Sequence, residues 1–163
     1  MEKLKITRIL LTVFFVLVVA GLDGKVVSLS IKFMNCEWGI SPEEAISALK
    51  QELINIEFTE SRNLSYTDRA RGIRLFEPEA FQFADYKWSL KLKFLDNKLV
   101  EVILISSNVD ESRILNELEA KFGKHEIHSI TKDKIWKAED GSKLYLVTWG
   151  KKTFIMYQAP HFS

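Results

Sequence analysis

The longest regular pattern in the chain is an alternation. Tyr86, Trp88, Leu90, Leu92 and Phe94 take every second position, with Lys87, Ser89, Lys91 and Lys93 between them. Successive side chains of a strand point to opposite faces, so this spacing predicts a strand with one buried and one wet face. Asp96-Asn97-Lys98 supplies a turn, and Leu99 to Ile105 (LVEVILI) returns as a near-continuous apolar run. Such a run predicts a central strand, and the pair reads as a hairpin. Further strands are expected at 134–138, 143–149 and 153–158, joined by the turns Glu139-Asp140-Gly141-Ser142 and Gly150-Lys151. Lys25 to Phe33 (KVVSLSIKF) reads as a first strand or an ordered arm.

The helical period occurs twice. Ser41-Pro42-Glu43-Glu44 is a helix start: Ser41 can cap free N–H groups, Pro42 suits the first helical position, and Glu44 completes a capping box. Ile46, Leu49 and Leu53, with Ala45 beside them, give one apolar face and predict a helix over 42–54. A second helix is expected over 110–122, with the stripe Ile114, Leu115, Leu118 and Phe122 and a stop at Gly123. Between the first helix and the long hairpin the pattern is weaker. Ile56-Glu57-Phe58 suggests a short strand, and Thr59 to Thr67 is turn-rich.

The amino terminus follows a different rule. Lys3, Lys5 and Arg8 precede the uncharged run Ile9 to Ala20, which ends on Val18-Val19-Ala20. A basic start, a short apolar core and a small-residue exit describe a signal peptide over 1–20, cut before Gly21. The run is shorter than the roughly 20 residues a bilayer-spanning helix needs. An uncleaved amino-terminal anchor, and cleavage after Gly24 or Ser28, remain alternatives. The expected location is the periplasm or the exterior, with residues 21–163 as one domain. The only cysteine, Cys36, lies well beyond the apolar run, which argues against lipidation, and a lone cysteine closes no internal disulfide. It reads as a buried small apolar residue or as an exposed thiol able to pair between chains.

Export changes the charge. Removing Lys3, Lys5 and Arg8 from the 23 basic residues, and Glu2 from the 22 acidic ones, leaves 20 against 21. A near-neutral chain offers no electrostatic case for nucleic acid or for an anionic membrane.

Coarsely, the mature chain runs helix, loop, strands, then helix, loop, strands, as possible halves 41–106 and 107–159. Each half has a strand with a tryptophan, Trp88 in one and Trp136 in the other. The order reads as a duplication or as a chance recurrence. The expected fold is α+β: two layers, an antiparallel sheet of about six strands, and two helices on one face.

This order, with the helix start Trp38-Gly39-Ile40-Ser41-Pro42-Glu43-Glu44-Ala45, resembles a group of small exported bacterial proteins. These are the β-lactamase-inhibitor-protein-like fold and the related small outer-membrane assembly lipoproteins, which typically open on Gly-x-Ser/Thr-x-x-Glu-Val/Ala. The resemblance implies helices packed on an antiparallel sheet and the binding of other proteins. The lipoprotein branch also carries an acylated cysteine near its mature start, which this sequence lacks.

Candidate chemistry is sparse. His125 and His128, with Glu126 between, could ligate a metal, but tight sites need three or four ligands. Their spacing is also one residue short of H-E-x-x-H. No G-x-S-x-G or phosphate-cradling glycine loop occurs. Glu43, Glu44, Asp110 and Glu111 sit in first helical turns, where the helix dipole already accounts for them. Two charge features remain as candidate partner-binding residues. Arg69, Arg71 and Arg74 crowd a short stretch and could clamp an acidic group. Lys87, Ser89, Lys91 and Lys93 line the wet face of the alternating strand, a natural docking surface. The expectation is a protein with no cofactor and no catalytic role, binding, inhibiting or assembling another envelope protein. The alternative is a soluble binder of a small ligand held between sheet and helices.

Overall fold

The structure, a computed structural model, describes residues 18–20, 26–28, 30–53, 56–78, 81–83, 86–107 and 109–162. Of the signal-peptide reading over 1–20, residues 1–17 lie outside the described residues. Val18–Ala20 (β1) pairs antiparallel with Val26–Ser28 (β2).

Ser41 caps the first helix, Pro42–Glu52 (α1), with Glu44 reaching back to the Ser41 N–H at 2.9 Å. Phe58–Glu60 (β3), a one-turn helix Tyr66–Ala70 (α2), Arg74–Pro78 (β4) and Phe81–Phe83 (β5) follow. The long hairpin is Tyr86–Leu95 (β6) and Lys98–Ser107 (β7). Asp96 and Asn97 at its tip both hold positive φ, 50° and 58°, as a two-residue turn matched to strand twist requires. Next come Glu111–Phe122 (α3), capped by Asp110, then Glu126–Ile127 (β8), Lys134–Lys137 (β9), Lys143–Trp149 (β10) and Lys152–Gln158 (β11). Gly150 supplies the positive φ that reverses β10 into β11.

The strands from β3 onward form one antiparallel sheet, separate from β1 and β2, in the order β3-β4-β6-β7-β11-β10-β9-β8, with β5 beside the start of β6. The α+β class and the antiparallel sheet agree with the pattern reading, while the numbers are corrected. Among the described residues eight strands follow that path where about six were expected, and there are three helices where two were. The additions are short: the five-residue β4, the two-residue β8 within an expected loop, and the five-residue α2, whose Ser65 cap lies in the turn-rich stretch. Elements of one turn or one ladder rung carry too little periodicity to be seen in sequence.

Register separates the two faces of the sheet. Phe94 opposes Leu99, Leu92 opposes Val102 and Leu90 opposes Leu104. Leu104 in turn meets Ile155, which meets Leu146. These residues form one buried cluster with Ala45 and Leu49 of α1 and Ile114, Leu118 and Phe122 of α3, so both long helices cover the same face. A bulge between Lys93 and Phe94 keeps the two strands in phase across Val100.

The segment before α1 is also built into this layer. Ile31, fully buried, donates its N–H to Ser142 Oγ at 2.7 Å and accepts from Trp38 Nε1 at 2.8 Å. Gly39 and Ile40 bond Leu99, tying the helix start to the sheet. Glu111 anchors α3, accepting from Lys134 Nζ at 2.5 Å and Thr148 Oγ1 at 2.6 Å. Those two donors hold its carboxyl below the ordinary carboxylate range. Along the sheet path, each half of the chain runs from an edge strand inward, and β7 and β11 meet at the centre. Trp88 lies on the third strand of its half and Trp136 on the second, so the two tryptophans are not equivalent positions.

Cys36 lies in the core at 1% exposure, 3.8 Å from the Ala45 carbonyl. Burial, with the Glu37 charge beside it, pushes the thiol up to about 12. A thiol reagent should therefore label Cys36 at least about 100-fold more slowly in the native protein than in denaturant. Labelling at the denatured rate in buffer would contradict the packing.

Candidate functional site

The opposite face of the sheet can be laid out from the same registers. In one row Val147 meets Phe154, Phe154 meets Ile105, and Ile105 meets Ser89. In the next, Ile135 meets Tyr145, followed by Met156, Ile103 and Lys91. A third row runs Lys137, Lys143, Gln158, Glu101 and Lys93. At the hairpin end Trp149 faces Lys152, which faces Ser107. The first two rows are apolar across β10, β11 and β7, and none of these side chains belongs to the core cluster beneath the helices. Ile103, Ile105, Tyr145, Val147, Phe154 and Met156 are half-buried, while Trp149 stands 81% exposed. With strands about 4.8 Å apart and same-face residues about 6.8 Å apart, the patch measures about 10 by 7 Å between backbone positions. That is the scale of the energetic centre of a protein interface rather than of a whole one.

The patch has a polar border. Lys93 Nζ bridges Asp68 of α2 at 3.3 Å and Glu101 of β7 at 3.2 Å, and Glu101 also accepts from Gln158 Nε2 at 2.8 Å. Lys91 pairs with Glu77 at 2.9 Å. Among the described residues no ion pair engages Lys87, Lys143 or Lys152. Of the lysine row read from the sequence, Lys91 and Lys93 are thus held internally, whereas Lys87 and Ser89 are exposed.

The three arginines are not brought together. Arg74 sits at the sheet margin on the helix side, opposite Phe94, over the Phe76 ring at 5.1 Å. Its Nε and Nη2 donate to Glu60 at 2.8 and 2.9 Å, and its Nη1 donates to Asn97 at 2.8 Å. These bonds hold the Glu60 carboxyl below its ordinary range. Arg69 and Arg71 belong to the end of α2, whose Asp68 reaches the other face. Arg71 lies over the Phe162 ring at 5.1 Å. The histidines also diverge: His125 Nδ1 meets Glu119 at 2.9 Å, and His128 Nδ1 accepts from the Thr131 N–H at 3.2 Å. Among the described residues, no group of three or more His, Cys, Asp or Glu could hold a metal ion. No described helix is long and apolar enough to cross a membrane.

The apolar centre of this face was not among the residues singled out from the sequence. Its signal was present. Leu99–Ile105, Leu144–Val147 and Phe154–Tyr157 are apolar at both parities, which means that both faces of these strands are apolar. Which of the two is left uncovered is not written in any one strand. In comparisons with known proteins, no family model, no curated protein and no solved structure matches the chain.

Proposed function

We propose that this is an exported, non-enzymatic protein-interaction domain of the bacterial envelope. It acts as an inhibitor, immunity or assembly factor and docks another protein on the open face of its sheet. The observation that carries this reading is the apolar patch of Ile103, Ile105, Phe154 and Met156, which lies on the face turned away from α1 and α3. Contiguous apolar surface inside a polar border is what binding surfaces offer and what ordinary surfaces avoid. The resemblance of the helix start to inhibitor-protein-like exported proteins points the same way, as does the basic and apolar start of the chain for export. The alternative, a small ligand between sheet and helices, has less support. There Leu49, Leu90, Leu92, Phe94, Leu104 and Leu144 pack against one another at 0–1% exposure.

Ile105→Asp tests the proposal, since it places a charge in the patch without touching the helix-side core. The purified variant should keep its circular dichroism spectrum and lose no more than about 1 kcal/mol of stability. In affinity capture from the organism's own envelope extract, a protein held by the wild type should be missing from the variant. Retention of a small molecule by both proteins, with no protein partner for either, would overturn the reading.

A further inference from the structure

We infer that the partner surface docking on this face is a protein surface with a protruding apolar side chain bordered by carboxylates; this rests on the docking role proposed above. The charge distribution argues for it. Lys87 and Lys152 stand at the Trp149 end of the patch and Lys143 at the opposite end, with no ion pair among the described residues. The carboxylates of the same face are already matched: Glu77 to Lys91, Glu101 and Asp68 to Lys93, and Glu126 to Lys137. What the face offers a newcomer is therefore an apolar floor and cations that lack a counter-charge among the described residues.

Charge also disfavours a second copy of this chain. Lysines border the patch on opposite sides, so a face-to-face pair would bring lysine against lysine at a cost that electrostatic complementarity normally avoids. A lipid surface fits less well. Apart from Trp149 the apolar side chains are half-buried while Lys87 and Lys152 are exposed, whereas a membrane-binding face must push apolar groups into the acyl boundary. A half-buried floor instead receives an anchor from its partner, with Trp149 at one corner of the site.

The test uses the full chain in its own cells, with Phe154→p-benzoylphenylalanine as the photo-crosslinking probe. The expected product is a protein adduct whose linked peptide has an apolar residue flanked by Asp or Glu. Its yield should fall about tenfold with Lys87→Glu and Lys152→Glu combined, and similarly between about 50 and 500 mM salt. Both lysines are exposed, so the charge-reversed protein should melt with the wild type. A protein adduct indifferent to charge reversal and to salt overturns the carboxylate border but leaves the docking face standing. An adduct only with itself, or with lipid together with co-sedimentation on phosphatidylglycerol vesicles, overturns the inference in favour of that occupant. No adduct at all overturns the docking face as well.

Discussion

Phe94→Ala should cost about 3–5 kcal/mol, the largest loss from any single substitution considered for this fold. Phe94 is fully buried and sits where three strands meet, opposite Arg74 of β4 and Leu99 of β7. Its ring packs edge-on against Phe76 at 5.4 Å. Removing it forfeits the transfer energy of the ring and leaves a cavity that the surrounding strands cannot close without breaking their ladders. Against a total stability of about 5–15 kcal/mol, the change would leave a measurable fraction unfolded near physiological temperature. Urea titration checks it: the midpoint should fall with the slope unchanged, and Phe94→Leu should lie between the two proteins. A midpoint equal to the wild type would mean that the ring is not part of the core.

Lys93→Met should cost about 2–3 kcal/mol, although it replaces a lysine on the face away from the two long helices. Lys93 is only 17% exposed and bridges Asp68 and Glu101. Without it, Glu101 keeps Gln158 as its one described partner while its side chain stays 7% exposed, and an uncompensated buried charge is expensive. The Asp68 end is better solvated, which places the cost below that of a fully buried pair. Replacing both partners tests the cause. Lys93→Met with Glu101→Leu removes the stranded charge and should recover at least half of the loss, because an apolar pair can substitute for a buried ion pair. The change should also loosen α2, seen as faster hydrogen exchange at the Ile73 N–H, which bonds the Asp68 carbonyl. A single-mutant cost below about 0.5 kcal/mol would class the bridge with ordinary surface pairs.

The lysine row legible in the sequence thus divides, with Lys91 and Lys93 held by ion pairs and Lys87 exposed. Lys91 and Lys93 share one face of a strand, an assignment in which a period of two leaves no freedom. Their partners were not legible, because Glu77, Asp68 and Glu101 come from β4, α2 and β7. The arginine stretch shows the same limit. Arg69, Arg71 and Arg74 are neighbours in sequence, yet Gly72, at a positive φ of 72°, helps carry the chain from helix to strand between them. Arg74 goes to Glu60 and Asn97, and Arg71 goes to Phe162.

By itself the sequence determined the local elements wherever their period was long enough to accumulate a signal: α1 with its capping box, α3 with its stripe, and the hairpin of β6 and β7 with its turn. Those are decided by interactions within a few residues, such as caps, propensity and alternation. Only the tertiary structure decided which face of the apolar strands would be covered. A run such as Leu99–Ile105 is apolar on both sides, and the helices that shield one side arrive from distant parts of the chain. That choice, made by packing across the sheet and not within any strand, left Ile103, Ile105, Phe154 and Met156 half-buried on the open face and created the candidate site.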